Sequence, residues 1–543
     1  MNKKPILTPR QAADLINDDD VISVNSSSGL GCPDAVLEGI GTRFSDTASP
    51  RALTTIHPIA AGDMWGIKGI DHLAKPGLLR RVIAGSFPSG PSSAEPPLIW
   101  QMIEKDEIEA YNLPSGIIYQ MHRAAAAGQP GVTSKVGLGT FIDPRNQAGR
   151  MNAASPPAIV ELTERKGEEW LFFEAITPNV AIIRATTADE FGNLTFEEEA
   201  SMLGALDLAY AAHNNGGIVI AQVKRIAEGR TLNPRDVRVP GILVDAIVHA
   251  PEQLQTTQTP YDPAISGQQR RSLSTLPAVP FSLEKVMARR ASLELQSGET
   301  VNLGFGVAAL VPHVLLEENL PQEVSWVIEQ GAVGGVPLLD FVFGVSQNPD
   351  AIMPSIDQFT LLQGGGFHRT FLSFLEIDQQ GNVNVHSLPK RRHVTAGVGG
   401  FADITSAASD IVFVGAFTAG RKDIIIEDGQ LNIRQDGPHT KFVKNVDAIT
   451  FSGQRALDNG RRVKYITERA VLELRPEGLT VTEIAPGVDL EKDVLAKSDF
   501  QLLVSGALTT MDAALFVAEP IGLKLPQAAT HSRLENLQNM GQR

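Results

Sequence analysis

Residues 327–337 read Val327-Ile328-Glu329-Gln330-Gly331-Ala332-Val333-Gly334-Gly335-Val336-Pro337. With Trp326 ahead of it, the stretch opens as a short apolar strand, WVIE, that delivers one carboxylate to its end. Three glycines in five residues and a proline follow. Open α/β sheets place chemistry at such strand ends, because the loops there are exposed while the sheet holds their roots rigid. Glu329 is therefore the candidate reactive group. Without a Cβ, the backbone at Gly331, Gly334 and Gly335 can lie directly against a bulky ligand and leave N–H groups free to face a developing negative charge. One carboxylate with no partner acid reads as a nucleophile rather than half of an acid/base pair. The competing reading of this segment is an ordinary Gly-rich turn with a solvated glutamate.

Outward from this stretch the same grammar recurs. Near the N-terminus, Thr8 caps a helical pattern, PRQAADLI, with Pro9 in its first turn. A β-branched strand, VISVN, then runs into Ser26-Ser27-Ser28-Gly29-Leu30-Gly31-Cys32-Pro33 and the helix PDAVLEGIGTRF. That is a βα unit of the phosphate-cradling kind, without the G-x-G-x-x-G of a dinucleotide site. Strand-like runs RALTTI, RRVIAGS, VAIIRATTA, GGIVIAQV and GILVDAIV alternate with the helical PPLIWQMIE and MLGALDLAYAAHN, which predicts a mainly parallel sheet with helices on both faces. The loop Gly137–Arg145 offers small residues and Arg145 for lining a cleft, with a solvated turn as its default reading.

From Thr257 to Leu283 the chain turns rich in Pro, Ser, Gln and Thr. Such a segment has little apolar surface to bury and reads as a linker between halves. After it the pattern restarts: ETVNLGFGV is a strand ending in glycines, followed by the helical VAALVPHVLLEEN. Asp189-Glu190-Phe191-Gly192-Asn193 in the first half also matches Asp378-Gln379-Gln380-Gly381-Asn382 in the second. Two correspondences in the same order predict two homologous α/β halves facing across a cleft. The division expected is an N-terminal half at 1–256, a linker at 257–283, a C-terminal half with the glutamate at 284–525, and a polar tail at 526–543. Two further glycine loops, Gln363–Phe367 and Ala396–Phe401, join those at Asn302–Gly306 and Gly331–Gly335. Together they favour a site where backbone wraps a long, thin ligand.

Composition narrows the function. The 543 residues exceed one core, and a formal net charge of −15 argues against nucleic acid or anionic membrane as the main partner. The single cysteine, Cys32, allows no internal disulfide and no Cys-cluster metal site, and reads as a packed thiol. The 11 histidines are scattered; His368, His386 and His393 read as structural or cleft-lining, and no metal is expected. The N-terminus lacks a signal-peptide core and no run is long enough to span a bilayer, so the expected location is the cytoplasm.

The segments IEQGAVGGVP, VNLGFGV, EIDQQGNVNV, AGVGGFADIT and VFVGAFTAG, with YNLPSG, GLGTFIDPR, TPNVAIIRATTADEFGNLTFEEEA and TVTEIAPGVDLEKDVL, resemble the class I coenzyme A transferases. Within these the chain is most similar to the acyl-CoA:acetate/3-ketoacid and propionate group with both halves fused. The resemblance implies transfer of CoA from an acyl-CoA to a short-chain carboxylic acid, in short-chain fatty acid or ketoacid metabolism. It implies a ping-pong route through a mixed anhydride and a glutamyl-CoA thioester on Glu329, with CoA as substrate and covalent intermediate and no permanently bound cofactor. Gly399 and Gly400 are the expected oxyanion donors. Asn302, Gly304, Phe305 and Gly306 are expected to pass close to the pantetheine, while Arg421, Lys422 and Lys390-Arg391-Arg392 are candidates for its phosphates, with a solvated basic surface as the alternative. Ser115 is the expected substrate-pocket residue, in a Pro-Ser-Gly where the family commonly carries Pro-Gln-Gly. The family also implies a homotetramer or homodimer. Competing readings keep the fold: an acyl-carrier-protein transferase subunit of a malonate- or citrate-processing complex, or a metabolite-binding sensor.

Overall fold

The computed structural model describes residues 2–88, 96–157, 159–388 and 396–528. Two sheets organise them. In the first, eight parallel strands lie in the order Ile6–Leu7, Ala246–His249, Ile218–Ala227, Val180–Asp189, Val21–Val24, Leu53–His57, Leu79–Ala84 and Glu109–Asn112. In the second, a parallel run of Ser325–Val327, Thr300–Leu303, Arg369–Leu372, Asp410–Val414 and Arg462–Ile466 continues into antiparallel Ala470–Arg475 and Gly478–Ile484, with Leu503–Thr510 at the edge.

The two sheets share one wiring. Val21–Val24 lies between the next strand in sequence, Leu53–His57, and Val180–Asp189. Thr300–Leu303 lies likewise between Ser325–Val327 and Arg369–Leu372. The matched D-x-x-G-N segments are the same turn to within 0.1 Å. Asp189 Oδ1 accepts the N–H groups of Phe191 and Asn193, both at 3.0 Å, and Oδ2 accepts Asn193 Nδ2 at 2.9 Å. Asp378 does this with Gln380 and Asn382 at 3.0, 3.0 and 3.0 Å. An Asx turn of this type pre-empts the backbone donors that would otherwise be left open, which is why both halves keep it.

Several elements differ from expectation in length. The first helix stops at Ala13, with Thr8 and Gln11 forming a reciprocal cap. GILVDAIV forms a strand only over Ala246–His249, because the Asp245 carboxylate accepts the Val219 N–H at 2.8 Å and holds the preceding residues in a turn. The segment read as a linker does bury apolar surface: Ile265 packs with Leu30, Ala200 and Val345, joining residues of both halves. The largest apolar cluster also crosses between halves, from Ile117 and Phe141 to Phe359 and Phe413. Burial on this scale fixes the halves relative to one another.

Candidate active site

The strand Ser325–Val327 ends two residues before Glu329, and the chain then reverses so that Val333 pairs antiparallel with Val327. Within the reversal the Ile328 N–H donates to the Ala332 carbonyl at 3.0 Å and the Gly331 N–H to the Ile328 carbonyl at 2.9 Å. Gly331 has φ +118°, and a Cβ on it would fall 2.0 Å from the Met353 carbonyl oxygen, so only glycine closes the turn. Asn302 fixes the approach. Buried on the neighbouring strand, it donates Nδ2 to the Val327 carbonyl at 3.0 Å and accepts Thr370 Oγ1 at 2.8 Å. Its amide is engaged by protein on both sides, so it places the strand end that carries Glu329.

The Glu329 carboxylate is half-buried against the Gly399–Gly400 turn. A Cβ on Gly400 would stand 1.9 Å from its Oε2, and the Gly400 N–H points to the carboxylate. Gln330 Nε2 donates to Oε1 at 3.2 Å and also reaches Ser27 Oγ in the first half at 3.3 Å. Burial raises the Glu329 pKa from 4.5 to about 7, against the opposing pull of the Gly400 N–H and the Gln330 amide. The result is a half-buried carboxylate that is partly desolvated yet faces donors that suit an oxyanion.

The Gly399–Gly400 turn is itself held by the first half. The Gly399 N–H donates to the Gly85 carbonyl at 2.7 Å, and the Ser115 N–H donates to the Gly399 carbonyl at 2.9 Å. The Val398 N–H donates to Asn112 Oδ1 at 2.7 Å, and Asn112 Nδ2 returns to the Ala84 and Gly85 carbonyls at 2.8 and 2.6 Å. Ser115 is fully buried with no hydrogen-bond partner for its hydroxyl among the described residues. The structure thus brings Glu329, Gly399, Gly400 and Ser115 together, with Asn302 beneath. Gly304, Phe305 and Gly306 lie at the adjacent strand end, where Phe305 is 59% exposed and edge-on to Phe343 at 5.7 Å, and Ser373 Oγ donates to the Phe305 carbonyl at 2.9 Å.

Other candidates have different surroundings. Arg145 is paired with Asp143 at 2.7 Å and Glu169 at 2.7 Å, whereas Gly137, Leu138 and Thr140 of the same loop line a cavity with Thr405 and Arg455. Arg421 is exposed, Lys422 donates to the Thr418 carbonyl at 3.4 Å, and Lys390-Arg391-Arg392 and His393 lie outside the described residues. His386 stacks on Phe141 at 4.0 Å, and the Thr300 N–H donates to His368 Nδ1 at 2.9 Å. Cys32 is buried, which pushes its thiol pKa up. Among the described residues no group of His, Cys, Asp or Glu could hold a metal, and no helix is long and apolar enough to cross a membrane.

Sequence reasoning missed three residues here. Gln330 and Ser27 carry the contact between halves at the carboxylate. Asp403, three residues past Gly400, adds a second buried acid where a lone carboxylate was expected; burial raises its pKa from 3.8 to about 7, and the nearby Glu329 adds to the shift. Its signal was its place in the first turn of a helix opening directly after Gly399-Gly400.

The sequence pattern of the family described as Coenzyme A transferase matches residues 8–250. The chain is 40% identical to the acetate CoA-transferase YdiF of Escherichia coli (strain K12) over 527 residues, 97% of each chain. It is 38% identical to the caffeate CoA-transferase of Acetobacterium woodii over 522 residues, 95% of this chain and 98% of that one. Among solved structures, the acyl-CoA transferase YdiF of E. coli O157:H7, in a thioester complex with CoA, superposes with a TM-score of 0.89 at 38% identity, covering 97% of this chain and 98% of that one.

Proposed function

This chain belongs to the Coenzyme A transferase family, and from that premise we propose that Glu329 is the nucleophile that holds CoA between two half-reactions. The enzyme moves CoA between an acyl-CoA and a free carboxylate by a ping-pong sequence, with CoA as substrate and covalent intermediate. In our reading a Glu329 oxygen attacks the acyl thioester carbonyl, the C–S bond breaks, and CoA leaves as thiolate. The thiolate then attacks the glutamyl carbonyl of the mixed anhydride. The acyl group departs as carboxylate carrying the former Glu329 oxygen, and glutamyl-CoA thioester remains. A second carboxylate reverses both steps.

The observation that carries this reading is the Glu329 carboxylate pressed on Gly400, with a backbone N–H aimed at it. A carboxylate is a weak nucleophile, so the rate must come from position and from donors that meet the oxyanions on either side of the anhydride. We further propose Gly399, whose own N–H is taken by the Gly85 carbonyl, as the residue that fixes this turn and not as the second oxyanion donor expected from the sequence, Asn302 as the residue that sets the strand end, and Gly304, Phe305 and Gly306 as the surface met by pantetheine. Ser115 is our candidate for contact with the acid. The same reading takes a short-chain acid as acceptor, a homodimer or homotetramer as assembly, the cytoplasm as location, and 1–256 and 284–525 as the two halves.

The test is intact mass after incubation with acetyl-CoA. Wild type should gain the mass of CoA less one water, mapping to the Glu329 peptide; an unmodified enzyme that still turns over sinks the assignment. A pH profile is a second check. The ionised carboxylate attacks, and its pKa is raised to about 7, so kcat/KM for acyl-CoA should be full above that value and fall about tenfold per pH unit below about pH 6. A profile flat down to pH 5 would place the reacting group elsewhere.

A further inference from the structure

Asp403 is a fully buried carboxylate with no cation among its hydrogen-bond partners in the described residues. Oδ2 accepts the Gly116 N–H at 3.0 Å, and Oδ1 accepts Gln363 Nε2 at 2.7 Å. Gln363 Oε1 in turn accepts Gln120 Nε2 at 2.6 Å. A buried charge with no counter-ion is costly unless every lone pair it presents does something a neutral group cannot. Here both oxygens receive donors at once. One comes from the start of the first-half helix Ser115–Ala126, the other from the second-half helix Ser355–Gln363. Asp403 itself lies in the first turn of the helix Phe401–Ala407 that follows the Gly399–Gly400 turn.

Three helices therefore meet on one side chain, and the residue next to Gly116 is Ser115, whose N–H holds the Gly399 carbonyl. The space is tight: a Cβ on Gly116 would stand 2.7 Å from Asp403 Oδ1 and 2.9 Å from Phe359 Cδ1. We propose that Asp403 is a positioning residue that clamps the first-half helix onto the Gly399–Gly400 turn, and so sets the backbone donor that faces the Glu329 carboxyl. Loss of the clamp leaves the Gly116 N–H buried without its acceptor and lets the Ser115–Gly399 bond lengthen. The damage should appear in the chemical step, because the groups displaced meet the reacting carboxyl and not the remote body of CoA.

The proposal rests on Glu329 as nucleophile, so the experiment reads both. Thioester formation with acetyl-CoA is followed by rapid-quench intact mass, beside steady-state kcat and KM. Asp403→Ala should slow thioester formation about 100-fold, the scale of a 1 Å misplacement, with KM for acetyl-CoA within about threefold of wild type. Asp403→Asn keeps an acceptor for Gly116 and, after amide flips at Gln363 and at Gln120 behind it, both contacts; it should recover at least about tenfold of the loss. Where Asp403→Ala does not fold, Gln363→Met removes one arm and should slow the step about tenfold. A folded Asp403→Ala or Gln363→Met enzyme forming thioester at the wild-type rate overturns the clamp. So does a loss confined to KM, or an asparagine variant no better than alanine. Absence of thioester in wild type instead removes the nucleophile assignment, which keeps the two failures apart.

Discussion

Glu329→Gln should lower kcat by about 10⁴-fold or more, leave no CoA adduct on the protein, and at the same time make the fold more stable above neutral pH. The amide is nearly isosteric. Its oxygen can still face the Gly400 N–H, while its NH2 in the place of Oε1 donates to the unpartnered Gln330 Oε1 once the Gln330 amide flips, so the site keeps its shape. What is lost is an oxygen that can form the anhydride. The stability change follows from the direction of the pKa shift. The folded state binds the Glu329 proton more tightly than the unfolded chain does, because the pKa rises from 4.5 to about 7 on folding. Ionisation therefore costs nothing below about pH 4.5, where both states are protonated, and weighs fully on the folded state above about pH 7. For this half-buried group the cost is on the order of 1–3 kcal/mol. Glutamine never ionises, so its melting temperature should exceed that of wild type at pH 8 and match it near pH 4.5. Activity within tenfold of wild type would end the nucleophile assignment. Equal melting temperatures at both pH values would show that the carboxylate is not held in a strained, desolvated state.

How much of this was readable in advance depends on what each residue does. Glu329 was legible because strand, acid and glycines are contiguous in the chain, and Gly331 closes the turn locally through its positive φ. The duplicated fold was legible for the same reason: the aspartates of the Asp189 and Asp378 turns bond N–H groups only two and four residues further along, so the defining contacts lie within one short motif. The seam was not. Gly399 is held by Gly85, Val398 by Asn112, and Gly116 by Asp403, contacts that span 286 and 287 residues in the two cases involving side chains. No periodicity encodes such a pair. Asn302 shows the intermediate case. The resemblance marked it as lying close to the ligand, yet that its strand neighbours the glutamate strand and its amide is taken up by Val327 and Thr370 emerges only when the strands are in register. In the segment 257–283 a polar composition hid apolar residues such as Ile265, which packs with residues of both halves.

Gly400→Ala carries the second large expected effect, and it separates space from backbone strain. Gly400 has φ −85°, a value alanine adopts freely, so the substitution adds no conformational penalty. The added methyl, however, would stand 1.9 Å from Glu329 Oε2 and 2.8 Å from Phe359 Cε1. Phe359 is fully buried in the core, so the carboxylate is the group that must give way. It then turns from the Gly400 N–H, and the oxyanions formed beside it lose that donor. Removal of one such donor costs about 10²–10³ in kcat. KM for acyl-CoA should stay within about threefold, because CoA contacts remote from the carboxyl are intact. Gly399→Ala provides the contrast. Gly399 has φ +51°, where a Cβ costs about 1–2 kcal/mol, but the added methyl would sit 3.9 Å from Glu329 Oε1, an ordinary contact. Alanine at 399 should therefore lower the melting temperature while the surviving folded enzyme keeps most of its kcat, whereas alanine at 400 should lower kcat beyond what its overpacking takes from the melting temperature. A Gly400→Ala enzyme with wild-type kcat would show that Gly400 is only a packing residue and that its N–H does not serve the reaction.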